Sequence, residues 1–307
     1  MASPSSPVLA LASGPLSIGS LADPIAVDPG PSLLVSLVAA YRDAAPEAVE
    51  PDLDALRDAA RADDDPLSAA ADLPTLTVVA RDGAVDAVAD RFHPASRLAA
   101  LAEAGVWDLR ALADPQPNAL LAGRSDGCVL VAANERGGDG DGDGGDDGPW
   151  CRIGSDPTLR ERYDAIVADA ETVRVRTPSR HRLYGSLRDR CGGSVADEAV
   201  RLLDGDVTGS APLDRGEARA QTYAAGARRG ALDRDLRRAC EDAGLGSAAT
   251  FTRIKRDLVE ADLLGTESVS QPVGRPRQRL VARGALADAS SPSAALAALG
   301  ALRESEV

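Results

Sequence analysis

The sequence is poor in lysine, cysteine, histidine and aromatic side chains. Its only lysine is Lys255, and aromatic residues make up 3% of its 307 residues. The four cysteines, which include no C-x-x-C pair, are Cys128, Cys151, Cys191 and Cys240. This spacing argues against a zinc site or a disulfide framework and favours a reducing, cytoplasmic environment. No apolar run approaches the roughly 18 residues of a membrane-spanning helix. Residues 1–22 contain no basic side chain, so we expect no secretory signal.

Negative charge is what the sequence has in excess. Asp and Glu number 48 against 34 Lys and Arg, which gives a net charge of -14 and a pI near 4.7. An acidic, lysine-poor surface is typical of salt-adapted proteins, whose clustered carboxylates retain hydration. We therefore expect a halophilic source, a property that concerns habitat and not activity.

The segment 215–283 differs in charge from the rest of the chain, since it contains 14 basic and 9 acidic side chains. A basic segment in an acidic chain is expected of a module that binds nucleic acid or another anion. The charge of the segment is equally consistent with an alternative, a solvated helix face that is rich in arginine and binds nothing.

Residues 21–204 mix strand and helix patterns, which predicts an α/β, sensor-like domain of undetermined strand order. We expect strands at Ile25–Val27, Leu76–Ala80, Trp107–Leu112 and Thr172–Arg176, and helices at 32–45, 95–104 and 177–190. Residues 1–20 are predicted to be a flexible N-terminus. The string GGDGDGDGGDDG at 137–148 is predicted to be a disordered acidic loop.

Residues 213–283 have the pattern of a winged helix-turn-helix domain, followed by a tail at 284–307. Helices are predicted at 214–229, 232–243 and 248–263, with a glycine-containing turn between the second and third. Two strands, 266–270 and 277–281, bracket an arginine-bearing turn and would form the wing. A helical hairpin used for dimerisation is the alternative.

The third helix and the wing carry the candidate DNA-binding residues. The first turns of a recognition helix approach base edges in the major groove, and cations beside it meet phosphates. The candidates for base contact are Ser247, Thr250, Arg253 and Arg256. The candidates for phosphate contact are Lys255, Arg275, Arg277 and Arg279, of which Arg275 could also enter a minor groove.

These residues also carry a resemblance to a known family. Thr250–Lys255 (TFTRIK), Leu263–Glu267 (LLGTE) and Val273–Arg277 (VGRPR) resemble the haloarchaeal TbsP-type transcriptional regulators. The resemblance implies an N-terminal α/β domain of obscure function followed by a DNA-binding winged helix. The chain departs from the family pattern at Ala248, where the pattern has a lysine, and in the strand after Glu267.

The sequence contains three other motifs. The string Gly123–Gly127 matches G-x-S-x-G, but strand-like segments on both sides favour a hairpin turn at Ser125 over a nucleophile elbow. Asp139, Asp141 and Asp143 resemble the start of an EF-hand loop, but the twelfth position is Trp150 instead of Glu. A basic cluster could hold an anionic effector, with salt bridging to nearby carboxylates as the favoured alternative. Its members are Arg174, Arg176, Arg180, His181 and Arg182.

The sequence therefore predicts a cytoplasmic, sequence-specific DNA-binding transcriptional regulator of a halophilic archaeon. We expect it to bind double-stranded promoter DNA as a homodimer, with residues 294–302 as a candidate dimer surface, and to respond to a small-molecule effector or partner. We expect no enzymatic activity, no cofactor and no metal. The alternative is a protein-binding scaffold whose winged helix no longer binds DNA.

Overall fold

The computed structural model describes residues 6–11, 14–62, 65–130, 150–153, 155–205, 212–271 and 276–304. The chain forms two compact units. The first contains Met1–Pro51, Asp64–Asp90 and Pro94–Val175, and the second contains Asp52–Asp63, Arg91–His93 and Arg176–Val307. The predicted acidic loop at 137–148 lies outside the described residues.

Strands and helices alternate in the N-terminal part, and helices dominate the C-terminal part. The strands are β1 Val8–Leu11, β2 Gly14–Ser17, β3 Ile25–Val27, β4 Leu76–Ala80, β5 Trp107–Ala111, β6 Leu120–Ala122, β7 Gly127–Leu130, β8 Trp150–Ile153, β9 Leu264–Val269 and β10 Arg277–Ala282. The helices are α1 Pro31–Ala44, α2 Pro46–Val49, α3 Leu53–Ala59, α4 Asp82–Ala89, α5 Phe92–Glu103, α6 Glu161–Asp169, α7 Arg180–Cys191, α8 Gly193–Leu203, α9 Arg215–Arg228, α10 Asp233–Ala243, α11 Ala248–Glu260, α12 Gly284–Asp288 and α13 Pro292–Glu304.

The first unit is built on a six-stranded mixed sheet with the strand order β5-β4-β3-β6-β7-β8. β3, β4 and β5 run parallel, and β6, β7 and β8 extend the sheet in antiparallel fashion. Helices lie between the parallel strands along the chain, as parallel connections require. This is the predicted α/β class, and the structure supplies the strand order that the pattern could not.

Both faces of this sheet are covered. Ala26, Val78 and Leu121 contribute to one core, which includes buried side chains of α1, α4 and α5. Val27 and Val79 point to the opposite face, where a smaller core forms with α6. Because successive side chains of a strand alternate between faces, a doubly covered sheet needs apolar residues at nearly every position, as in β3 (IAV) and in β4 (LTVVA) apart from Thr77.

The prediction of a flexible N-terminus is wrong for the described part of residues 1–20. β1 and β2 form an antiparallel hairpin, in which Leu9 and Leu16 are buried. Ile18, in the 3₁₀ turn that follows, is fully buried in the same core. The segment contains several prolines. Buried apolar side chains at alternate positions of the two short strands are nevertheless enough to anchor it in the core of the first unit.

The predicted strand at Thr172–Arg176 is also wrong. Thr172 forms only an isolated bridge with Arg110 at the edge of β5, and the Val173 amide donates to the Leu109 carbonyl at 2.8 Å. Val173 and Val175 pack against the sheet core, which explains the alternating pattern without a continuous ladder.

The second unit contains a three-helix winged-helix core of α9, α10, α11 and the antiparallel β9–β10 hairpin. Its apolar core includes residues that lie N-terminal to 204–213, the predicted boundary between the two domains. Buried side chains of α7 and α8, such as Leu187 and Leu202, belong to the same cluster as Leu236 and Phe251. The α8 helix, which no local pattern predicted, therefore forms part of this unit.

The apolar tail is used within the chain. Leu296 and Leu299 of α13 are buried in the core of the second unit, which α13 enters through contacts with α8 and α9. The hypothesis that residues 294–302 form a dimer surface is therefore wrong for these two leucines, because their apolar side chains are already covered.

A glycine of the β6–β7 hairpin provides a test of the first unit. A Cβ on Gly127 would lie 2.8 Å from the Leu121 carbonyl oxygen and 2.9 Å from the Ala122 Cβ, so the facing strand must move. We expect Gly127→Ala to destabilise the first unit by about 1–3 kcal/mol through overpacking. Hydrogen exchange of the sheet amides measures this loss. Gly83→Ala is the matched control, since a Cβ there meets nothing within 4 Å; equal effects of the two substitutions would contradict the account.

Candidate nucleic-acid interface

The α11 helix has the local sequence of a well-capped recognition helix. The Ser247 hydroxyl accepts a hydrogen bond from the Thr250 amide at 3.3 Å and so caps the helix. Phe251, Ile254 and Leu258 are spaced along one face and are buried. The preceding helix α10 ends at Ala243 and is capped by Gly244, whose positive φ of 87° is the left-handed conformation that glycine favours. The result is the predicted helix-turn-helix.

The exposed side of α11 begins with small and polar residues. Ser247, Ala248 and Ala249 are exposed, Thr250 is partly exposed, and Arg253 is exposed one turn further on. Arg253 forms no hydrogen bond or ion pair with any described residue. Its guanidinium is therefore available to an external acceptor.

Arg256 lies in a different electrostatic environment. Its guanidinium is 3.2 Å from the Asp257 carboxylate and 3.7 Å from that of Glu260, although its side chain is 64% exposed. Lys255 and Arg256 therefore have carboxylate partners, whereas Arg253, nearer to the start of α11, has none among the described residues.

The wing places two of its predicted arginines on β10. Arg279 is exposed and has no hydrogen-bond or ion-pair partner among the described residues. Arg277 is 40% exposed and lies 3.5 Å from the Asp235 carboxylate. Arg275 lies outside the described residues.

A buried carboxylate joins all parts of this module. Asp233, at the start of α10, is 3% exposed and accepts hydrogen bonds from Tyr223 of α9, Arg237 of α10 and Lys255 of α11. The Lys255 ammonium lies 3.0 Å from Asp233 and 2.8 Å from the side-chain oxygen of Gln278 on β10. Lys255 was predicted as a phosphate contact, but the structure directs it into the module, with only 19% of its side chain exposed.

The ionisation of Asp233 is set by two opposing effects. Burial raises its pKa, but hydrogen bonds from Tyr223 and Lys255 and the charges of Lys255 and Arg237 outweigh burial and lower the pKa below its usual value. Burial and the hydrogen bond to Asp233 raise the pKa of Tyr223, so the phenol stays protonated and continues to donate. The ring of Tyr223 stacks on Phe251 with centroids 5.8 Å apart, which links the polar network to the buried face of α11.

Arg219 and Arg215 of α9, which were not among the predicted DNA-binding residues, are two further arginines of this module. The Arg219 Nε donates to the Leu245 carbonyl, in the turn before α11, at 2.7 Å. Arg215 precedes Arg219 by one turn of α9. Partial burial and the charges of Arg215 and Arg253 lower the pKa of Arg219. A spacing of i and i+4 on α9 was the signal in the sequence.

Two members of the proposed effector cluster, Arg180 and Arg182, make contacts within the second unit. Arg180 is buried and forms a bidentate pair with Asp204. Arg182 donates to the Asp242 carbonyl at 3.1 Å. Arg174 and Arg176 are exposed but belong to the first and the second unit, respectively. The ion-pair alternative therefore holds for Arg180.

The remaining motifs give no reactive centre among the described residues. Ser125 lies in the turn between β6 and β7, as the hairpin interpretation predicted, and its hydroxyl donates to Asp126 at 3.2 Å. Asp139, Asp141 and Asp143 lie outside the described residues. Within the described part of the chain, no group of His, Cys, Asp and Glu could hold a metal ion. None of the described helices has both the length and the apolar character needed to cross a membrane.

Comparison with protein families defines the class to which both parts of the chain belong. Residues 179–299 match the C-terminal HTH domain of the family described as Transcriptional regulator TbsP-like, and residues 35–139 match the N-terminal domain of the same family. The matches follow one another in the order of the observed architecture and together span most of the chain. The chain belongs to the TbsP-like transcriptional regulators. No curated protein and no solved structure matches it.

The Asp233 network leads to a prediction about acid stability. Because the pKa of Asp233 is lower in the folded than in the unfolded chain, its stabilising contribution is complete above the unfolded value of about 3.9 and is lost as the pH falls through the folded value. We expect Asp233→Asn to lower the opening free energy of α9–α11 by about 3–5 kcal/mol near neutral pH, because Lys255 and Arg237 lose a buried partner. The deficit should shrink on acidification.

Hydrogen exchange of the α9–α11 amides, corrected for intrinsic rates at each pH, measures both effects. Asp235→Asn is the matched control on the same helix, since its partly exposed carboxylate lies 3.5 Å from Arg277 and should contribute less than about 1 kcal/mol. If the two variants lose equal stability, or if the Asp233→Asn deficit is independent of pH, the assigned role of Asp233 is wrong.

Proposed function

We propose that the protein is a sequence-specific DNA-binding transcriptional regulator whose second unit binds promoter DNA. The observation that carries this proposal is the exposed start of α11, where Arg253 has no carboxylate partner in the described chain although acidic residues outnumber basic ones overall. An arginine that has no partner among the described residues of an acidic chain is available to hydrogen-bond acceptors of the duplex. The family match supports the same function.

In this proposal the start of α11 enters the major groove. Ser247, Thr250 and Arg253 meet base edges, and an arginine in this position can donate two hydrogen bonds to guanine. Arg279 on β10 meets a backbone phosphate beside the groove, with Arg277 and Arg275 as further wing contacts. Arg256 contacts the duplex only where the DNA displaces the carboxylates of Asp257 and Glu260 from its guanidinium. Lys255 acts as a positioning residue that holds α11 against α10 and β10.

We further propose that the regulator is a cytoplasmic homodimer from a halophilic archaeon, controlled through its α/β unit by a small molecule or a protein partner. Paired half-sites are the usual arrangement for helix-turn-helix proteins. The excess of carboxylates and the single lysine support a high-salt habitat. High salt weakens the counterion-release contribution to binding, so base contacts and dimer avidity would carry more of the affinity.

A protein-binding winged helix is the second candidate function. Two features of the C-terminal half of α11 favour it. This half carries the acidic residues Asp257 and Glu260, which follow Arg253 by one and two turns. It also carries Val259, a large apolar residue that is 45% exposed. This candidate predicts no protected site on the cell's own promoters at molar potassium salt, where the DNA-binding proposal predicts protection.

Arg253 provides the test of base contact. We expect Arg253→Ala to weaken binding to a duplex selected by the wild-type protein from a random library by about 10- to 100-fold, since one good bidentate base contact contributes about 1–3 kcal/mol of discrimination. The loss on a scrambled duplex of equal length should be smaller. Fluorescence anisotropy titrations at fixed salt measure both affinities.

Arg61→Ala, at an exposed arginine paired with Asp58, removes the same charge and serves as the control. It should leave the preference for the selected duplex unchanged. A wild-type protein that selects no duplex, or an Arg253→Ala variant with undiminished preference, would refute sequence-specific binding through α11.

A further inference from the structure

We propose that Arg219 and Arg215 of α9 form a backbone-phosphate clamp beside the start of the recognition helix. The clamp is a second contact surface, separate from the wing, and its ligand is the phosphodiester group of a nucleic-acid duplex. The inference rests on the proposed DNA-binding function but concerns affinity for any sequence, whereas the proposed function concerns discrimination between sequences.

The first observation is that Arg219 is held in place while the rest of its guanidinium remains open. Its Nε donates to the Leu245 carbonyl at 2.7 Å. Its two terminal amino groups form no hydrogen bond with any described residue, and the side chain is partly exposed. A guanidinium fixed through Nε loses less conformational entropy when its remaining donors bind a phosphate, for which its planar geometry is suited.

The second observation is the close packing that fixes this position. A Cβ on Gly246 would lie 3.2 Å from the Arg219 Nε and 3.1 Å from the Phe251 ring, so Gly246 leaves the space in which Arg219 passes over the turn. Arg219 thus lies directly against the turn that leads into Ser247. The chain places a cation at the start of α11 that the small side chains Ala248 and Ala249 do not provide.

The third observation is that like charges are gathered at this place. Arg215 and Arg253 lie near enough to Arg219 to lower its pKa together with burial, and Asp214 is the one carboxylate that opposes them. Asp214 is already engaged in the capping box of α9, where its side chain accepts from the Glu217 amide at 2.8 Å. The open donors of Arg219, next to the charges of Arg215 and Arg253, make this a favourable place for an external anion.

Continuity with α11 selects the backbone of a duplex as that anion. Arg253, the candidate for base contact, belongs to the same group of charges. When the start of α11 lies in the major groove, the phosphates that border the groove are within reach of side chains adjacent to the helix-turn-helix. A free phosphate ion could bind the same groups, so the test must distinguish the two sources.

The experiment measures the salt dependence of duplex binding by the full-length protein. We expect Arg219→Gln to weaken binding to the selected duplex and to a scrambled duplex by the same factor, about tenfold at moderate salt, and to reduce the slope of log K against log salt by about 0.9. Arg215→Gln removes the second cation of the clamp and should act in the same direction. Arg219→Lys retains the charge and should restore most of the slope.

Arg61→Gln is the matched control for loss of one positive charge, and it should leave the slope unchanged. Thermal unfolding of each variant checks that α9 and the turn remain folded, and Arg215→Gln keeps the test valid if Arg219→Gln does not fold. An unchanged slope for Arg215→Gln and a folded Arg219 variant overturns the clamp. A loss confined to the selected duplex also overturns it, because that result assigns Arg219 to base contact.

Failure of the clamp and failure of the proposed function give different results. If the wild-type protein binds both duplexes equally, sequence-specific binding fails, while a reduced slope in the Arg219 and Arg215 variants still supports the clamp. If it binds no duplex, both fail. Addition of inorganic phosphate at constant ionic strength should not displace the duplex; displacement that depends on Arg219 would show a site for a free anion and overturn the assignment to the backbone.

Discussion

The buried carboxylate of Asp233 is the interaction on which the geometry of the DNA-binding module depends. It accepts hydrogen bonds from α9, α10 and α11, and through Lys255 it reaches Gln278 in the wing. A charge in this position is costly to bury, so the ionised form persists only because several donors converge on it. The arrangement therefore fixes one relative placement of three helices and a hairpin, whereas apolar packing alone tolerates small shifts.

Lys255 shows that the cations of this module are of two kinds. Some stabilise the fold through contacts inside the module, and others are open to a ligand. Arg228 has a comparable internal role, since it pairs with the buried Glu198 of α8 and donates to carbonyls at the end of α12. Arg253 and Arg279 lack such partners among the described residues. The net charge of a segment counts both kinds alike, and only the contacts distinguish them.

Local patterns predicted the winged helix well because its signals are short-range. The Ser247 cap, the Phe251–Ile254–Leu258 spacing and the glycine turn are each contained within a few residues. The strand order of the first unit, the burial of α13 and the pair between Arg180 and Asp204 depend on partners distant in the chain, so no local pattern carries them. The hairpin of β1 and β2 was missed for another reason, since its strands are four residues long and lie in a proline-containing segment.

The same distinction explains why Arg219 was not found from the sequence. Its anchor, the Leu245 carbonyl, is a backbone group 26 positions away, and the space that it occupies exists because residue 246 is glycine. Neither fact is visible in the composition of α9. A recognition helix with alanines after its cap looks deficient in positive charge when it is considered alone. Within the folded module, the neighbouring helix supplies that charge beside the start of α11, so the positive charge here is a property of the helix-turn-helix as a unit and not of α11 by itself.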